Sequence, residues 1–263
     1  MNANSQPAPA APSRPPIEPS GTTTLTLRPR RHRPIATWTF IVVNVLVWLV
    51  MALLGSSTNP AILVLFGAKD NELIVQGQLW RLVTPIFLHI DIVHLAFNTY
   101  AVYVFGSQIE RFFGTTRFVG IYLLSGIAGV LASFSFSPHR SAGASSAIFG
   151  LISTEAVFFF RYRNAFGRRG QQRLYNILIV IGYNLAFTFV ASNIDVWGHL
   201  GGLVAGAVIS WWLIPRYAVV LTERGPSLID ANPPRKWGTA LAIAAVILGL
   251  GSLLAVSLRA TQY

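Results

Sequence analysis

The chain contains no cysteine. Disulfides, zinc–thiolate centres and a cysteine nucleophile are thereby excluded, and the redox compartment stays open. Charge is also scarce: 11% of residues are Asp, Glu, Lys or Arg, against about a quarter in soluble domains. Acidic residues number 9 against 20 Lys and Arg, for a formal net charge of +11. A nucleic-acid partner is not expected, because the basic residues sit at the ends of apolar blocks and form no continuous face. What fills the chain is apolar: 53% of residues are hydrophobic and the mean hydropathy is +0.54. That composition suits a lipid solvent. No cleavable signal peptide is expected, since the first long apolar block starts near Thr37.

Residues 1–36 are rich in Pro, Ala, Ser and Thr and end in the basic run Arg28-Pro29-Arg30-Arg31-His32-Arg33-Pro34. Such a segment buries too little apolar surface to order itself, so a disordered basic cytoplasmic tail is expected there. Seven apolar blocks follow, at 37–55, 92–113, 117–135, 144–160, 174–190, 196–215 and 237–258. Each approaches the roughly 20 residues that carry a helix across a bilayer. One side of this arrangement carries only Lys69, Arg81, Arg140 and Arg259, so the N-terminal arm and the second, fourth and sixth connections hold the other 16 of the 20 basic residues. By the positive-inside rule the N-terminus is cytoplasmic and the C-terminus outside. The first outer connection, 56–91, is unusually apolar. It is expected to lie in the membrane interface, with Trp80 and Arg81 at headgroup level, or to form a simple re-entrant loop.

Three polar clusters interrupt the apolar blocks, and the topology puts all three toward the outer face. The first is Gly143-Ala144-Ser145-Ser146-Ala147-Ile148-Phe149-Gly150, at the entrance to the fourth block. A Gly-x-Ser turn opening a helix leaves free N–H groups that favour a developing oxyanion. Small residues there also serve as packing contacts, so the turn alone leaves both readings open. The second is Trp197-Gly198-His199-Leu200-Gly201-Gly202, with Gly206 beyond. His199, Gly202 and Gly206 recur at i, i+3 and i+7 on one helix face. That face admits a neighbouring helix very closely, whether as a plain glycine seam or to bring the histidine to a polar group. The third is His89, His94 and Asn98. His94 and Asn98, four apart, point the same way and offer donors to an oxyanion. A metal site is the competing reading, though Asp91 falls on another face.

The order His-x3-Asn, Gly-x-Ser, His-x2-Gly-x3-Gly resembles the rhomboid family of intramembrane serine proteases over about 37–215, together with Trp80-Arg81 in the long loop and Glu110-Arg111 after the second block. The resemblance implies an all-α membrane protein: a rhomboid-like bundle of six transmembrane helices over 37–215, then a cytoplasmic loop and one additional C-terminal transmembrane helix within 216–263. It implies Ser145 as nucleophile, His199 as general base, and His94 and Asn98 with the Ser145 N–H as oxyanion site. Phe149 would lie against the catalytic histidine; His89, Gly143, Gly202 and Gly206 would support. Ser146 departs from the glycine usual after the nucleophile, adding a small side chain where substrate could be crowded. No acidic residue is placed to complete a triad, so a dyad is expected, held by the aromatic stack. Glu155, about 15 Å below Ser145 along a helix, is expected to pair with Arg161 or Arg163 at the inner face.

The implied activity is cleavage of transmembrane protein substrates near the outer face of a bacterial plasma membrane, with membrane lipids as further partners and no cofactor. A catalytically weak or silent relative that escorts membrane clients is the alternative; it would be expected to lack Ser145 or His199. A transporter or retinal pump would want ionisable residues at the bilayer midplane or a lysine within the last block. The lysine nearest that block, Lys236, stands at its cytoplasmic edge.

Overall fold

A computed structural model describes residues 32–190, 194–222 and 225–261. The tail expected over 1–36 therefore lies outside the described residues up to Arg31. The architecture is an all-α membrane bundle. Helix α1 (Ile35–Leu53) is followed by two short helices, α2 (Pro60–Leu65) and α3 (Asn71–Val75). Then come α4 (Ile92–Ala101), α5 (Ser107–Phe113), α6 (Thr115–Phe136), α7 (Ser145–Arg161), α8 (Arg163–Val190), α9 (Val196–Leu213) and α10 (Pro234–Ala260). Among the described residues, α1, α6, α8, α9 and α10 are long and apolar enough to cross a membrane. The other two apolar blocks are helical as well: α4 runs into α5 through a π turn at Val102–Gly106, and α7 has 17 residues. Large apolar side chains such as Leu46, Phe97, Tyr183, Phe187, Val204 and Ile247 stand exposed around the bundle. In water such a surface would be untenable; in lipid it is the solvent-facing side.

The centre of the bundle is the packing of α6, α7 and α9, whose buried residues include Phe118, Ile121, Val130, Ala147, Leu151 and Ile209. Glu110, fully buried, holds α1 to this centre. Its carboxylate accepts from the Ala36 N–H (3.0 Å), the Thr37 N–H (2.8 Å), the Thr37 hydroxyl (2.7 Å) and the Thr115 hydroxyl (2.8 Å). An anion at the first turn of α1 satisfies free N–H groups and opposes the helix dipole.

The long loop is structured. Besides α2 and α3 it contains 3-10 turns at Leu79–Leu82 and Thr84–Phe87. Trp80 is exposed, whereas Arg81, expected beside it at headgroup level, is buried. It is 5% exposed and donates to the Val64 and Ala68 carbonyls (2.8 and 2.9 Å) and to Gln78 (2.8 Å). The loop folds around Arg81 because a buried guanidinium needs several acceptors at once. Lys69, also buried, donates to the Ser137 and His139 carbonyls (2.9 and 2.7 Å), and Asp70 pairs with Arg140 at 2.6 Å. The loop is thus pinned to the connection that leads into α7.

A second departure lies after α9. The expected cytoplasmic loop contains an antiparallel hairpin, β1 (Tyr217–Thr222) with β2 (Gly225–Asp230), in the register Tyr217 to Asp230. Arg117 of α6 anchors it, bonding Asp230 at 2.5 Å and the Asn232 carbonyl at 3.1 Å, and lies over the Trp237 ring at 5.0 Å. Helix α10 then packs along α6 and α9, with Leu241 against Gly120.

Candidate active site

Ser145 is the first residue of α7. The turn before it is built around Gly143, whose φ is +142°, a region that L side chains rarely adopt. Its N–H donates to the Pro85 carbonyl at 2.9 Å, so the long loop sets the height of the turn. A Cβ at Gly143 would also meet the His94 ring, with Cε1 at 2.7 Å and Nε2 at 2.9 Å. The glycine therefore serves both the turn and the approach of α4.

Across the α7–α9 interface, His199 Nε2 stands 2.8 Å from Ser145 Oγ. Two glycines of α9 make that distance possible. A Cβ at Gly202 would overlap the Ser146 carbonyl oxygen, and one at Gly206 would overlap Cα and the carbonyl oxygen of Gly150. The histidine is 7% exposed and its ring is stacked on Phe149 with centroids 4.4 Å apart and planes at 26°. Phe149 sits one turn along α7 from Ser145, so the nucleophile and the stacking ring share one helix face. The other ring nitrogen, Nδ1, lies 2.9 Å from the hydroxyl of Thr188 on α8. Sequence reasoning missed Thr188. The only signal was a hydroxyl in an apolar block, and such a hydroxyl more often bonds back to its own helix.

On α4, Asp91 caps the helix by accepting from the His94 N–H at 2.8 Å, which leaves its carboxylate committed there. The His94 ring meets His89 edge-on at 5.2 Å between centroids. His89 is fully buried, and burial, with His94 adjacent, pushes its imidazole down to about 3, so it is neutral near pH 7 and props the neighbouring ring. Asn98 is 6% exposed, and its Nδ2 has no hydrogen-bond partner among the described residues. A buried amide donor left unspent costs free energy unless a ligand takes it up.

Ser146 does not crowd the site. It is buried and its side chain faces Gly129 of α6 and Gly198 of α9, where a Cβ on either glycine would lie within about 3.1 Å of Ser146 Oγ. Its extra atoms fill the helix seam and do not face the space beside His94. Glu155 is also placed differently from expectation. It bonds Arg173 of α8 at 2.8 Å, whereas Arg161 lies over the Trp211 ring at 5.3 Å and Arg163 over the Phe160 ring at 4.5 Å. Facing across two helices outweighs nearness in sequence.

Taken together, the site has a hydroxyl with a bonded imidazole, and beside it a turn at a helix start, a histidine and an unspent amide. Such a set can activate an oxygen nucleophile and stabilise an oxyanion. The family model described as "Rhomboid domain" matches residues 76–216. The chain is 48% identical over 174 residues to "Rhomboid protease GluP" of Bacillus subtilis, covering 66% of this chain and 34% of that protein. It is 37% identical over 178 residues to "Rhomboid-like protease 1" of Toxoplasma gondii, covering 65% and 59%. It is 34% identical over 145 residues to "Putative rhomboid protease YdcA" of Bacillus subtilis, covering 54% and 71%. The chain thus spans about a third of the length of the first of these relatives and about three fifths of the second.

Proposed function

Because the chain belongs to the rhomboid family, we propose that it is an intramembrane serine endopeptidase that cleaves transmembrane segments of other proteins. The observation that carries the reading is the 2.8 Å contact between Ser145 Oγ and His199 Nε2, made between two helices whose separation is set by glycine. In the proposed reaction His199 takes the Ser145 proton as Oγ attacks a substrate carbonyl carbon. The carbonyl oxygen becomes an oxyanion, which His94, the Asn98 amide and the Ser145 N–H stabilise. His199 then gives its proton to the leaving amine, which departs as the acyl-enzyme forms. A water, deprotonated by His199, attacks the ester and restores Ser145. The substrate segment must unwind first, since helical carbonyls are already hydrogen-bonded.

In the same reading residues 1–36 form a basic cytoplasmic tail, 37–215 the protease core and 216–263 the connection and extra helix. The protein lies in a bacterial plasma membrane with its site toward the outer face. The asymmetry of Lys and Arg between the two sets of connections supports this orientation. The test is reaction with a fluorophosphonate probe in detergent, followed by mapping of the adduct. Label on Ser145, lost in both Ser145→Ala and His199→Ala, is expected; label elsewhere, or none, overturns the reading.

A further inference from the structure

We infer that Thr188 is a positioning residue, whose hydroxyl holds His199 in the tautomer able to take the Ser145 proton. The inference rests on the reading of Ser145 as nucleophile and His199 as base. A base acting on Ser145 must present a lone pair at Nε2, so its proton must sit on Nδ1. A threonine hydroxyl has one proton and two lone pairs. Thr188 Oγ1 makes two contacts: 2.7 Å to the Asn184 carbonyl oxygen, one turn earlier on α8, and 2.9 Å to His199 Nδ1. A carbonyl oxygen has no proton to give, so the hydroxyl proton points there. Thr188 therefore faces the imidazole with a lone pair, and Nδ1–H is the donor. Nε2 is left unprotonated, 2.8 Å from Ser145 Oγ.

The other groups around the ring do not supply this. Phe149 offers a ring face without an acceptor in the imidazole plane. Asp195 accepts from the Gly198 N–H at the start of α9 (2.9 Å) and makes no hydrogen bond to the imidazole among the described residues. Thr188 is only 2% exposed, so water has little access to compete for Nδ1. A neutral hydroxyl fixes tautomer and orientation as an acid would, but adds no negative charge beside the imidazolium. Its loss should thus cost the worth of one buried neutral hydrogen bond, a factor of roughly 5 to 30 in rate, and not the far larger loss seen when a triad acid is changed.

Thr188→Val keeps the branched shape and removes the oxygen. Its kcat on a transmembrane substrate in vesicles should fall roughly 5- to 30-fold with KM little changed, and Thr188→Ser should recover most of the rate. The second measurement is the nitrogen NMR spectrum of histidine-labelled protein in detergent, with the His199 signals assigned through His199→Gln. Wild type should show a protonated Nδ1 and a bare Nε2, and Thr188→Val should populate the opposite tautomer. A bare Nδ1 in wild type overturns the inference, as does a Thr188→Val protein with unchanged kcat and tautomer, or a Thr188→Ser protein as impaired as Thr188→Val. Because the tautomer is read without turnover, it tests Thr188 separately from the peptidase reading. Failure of the fluorophosphonate probe to label Ser145 would overturn that reading instead.

Discussion

Replacing Gly202 by alanine puts a methyl group where the first turn of α7 already is. The new Cβ would overlap the Ser146 carbonyl oxygen and lie 2.7 Å from the carbonyl carbon and 3.0 Å from Cα. All three are backbone atoms, so no side-chain rotation relieves the overlap. To restore ordinary contact, α9 must back away from α7 by on the order of 1 Å. The Ser145–His199 contact of 2.8 Å crosses the same interface. Stretched by that amount, it is no longer a hydrogen bond. A misplacement on the order of 1 Å at reacting groups costs roughly a hundredfold in rate, and overpacking a close seam costs about 1–3 kcal/mol. Gly202→Ala should therefore lose about two orders of magnitude in kcat and melt a few degrees lower, with Gly202→Val worse in both. The assay is turnover of a fluorogenic transmembrane peptide in proteoliposomes, paired with thermal melting in detergent. Gly249→Ala is the control, since a Cβ there meets nothing within 4 Å. A Gly202→Ala protein with wild-type kcat and melting temperature would refute the idea that the glycine seam sets the distance between hydroxyl and imidazole.

Ser145→Ala should abolish cleavage and leave melting nearly unchanged, whereas Ser146→Ala should keep activity; the reverse pattern would move the nucleophile by one residue. His94→Ala and Asn98→Ala should each lower kcat by about 10²–10³ while still accepting the fluorophosphonate probe, and the double mutant should fall short of the product of the two losses. His199→Ala should be worse than either; equal and complete loss in all three single mutants, together with loss on metal chelation, would point to histidine ligands instead. Burial holds the Lys69 ammonium at about 8, below its usual 10.5. The folded protein therefore binds fewer protons than the unfolded chain between those values. The penalty for charging Lys69 is fully present below about pH 8 and is relieved as pH rises toward 10.5. Melting temperature measured against a Lys69→Met variant should thus improve for wild type across that window, and a flat difference would remove Lys69 from the account.

The helical blocks were legible because a membrane span is a local property: length and apolar composition within one segment largely decide it. The face shared by His199, Gly202 and Gly206 was legible for a related reason, since spacing along one helix fixes which side chains align. Contacts between helices were less so. Thr188 reaches His199, and Arg173 reaches Glu155, through the rotation of α8 about its own axis, which no spacing within α8 encodes. The hairpin Tyr217–Asp230 was missed because each strand has only six residues and sits beside a long apolar block, where a short apolar run reads equally well as helix end.

Three buried charges differ from the proposed site residues in how fully they are partnered. A buried charge must be nearly saturated with partners, because an unpaired one is prohibitively costly in low dielectric. Glu110 accepts four hydrogen bonds, Arg81 donates three and Lys69 two, so each is committed to holding a loop or a helix end. Residues proposed to act on a substrate must keep capacity in reserve. Asn98 does so, with a buried amide donor and no partner among the described residues, and the Ser145 hydroxyl has the His199 ring as its partner. Saturation is invisible in a sequence, where Arg81 reads as a headgroup anchor; the structure shows its guanidinium spent on acceptors within the long loop. By the same criterion the charged groups of the long loop act on the proposed chemistry only indirectly, by fixing where the Gly143 turn sits beneath the Pro85 carbonyl.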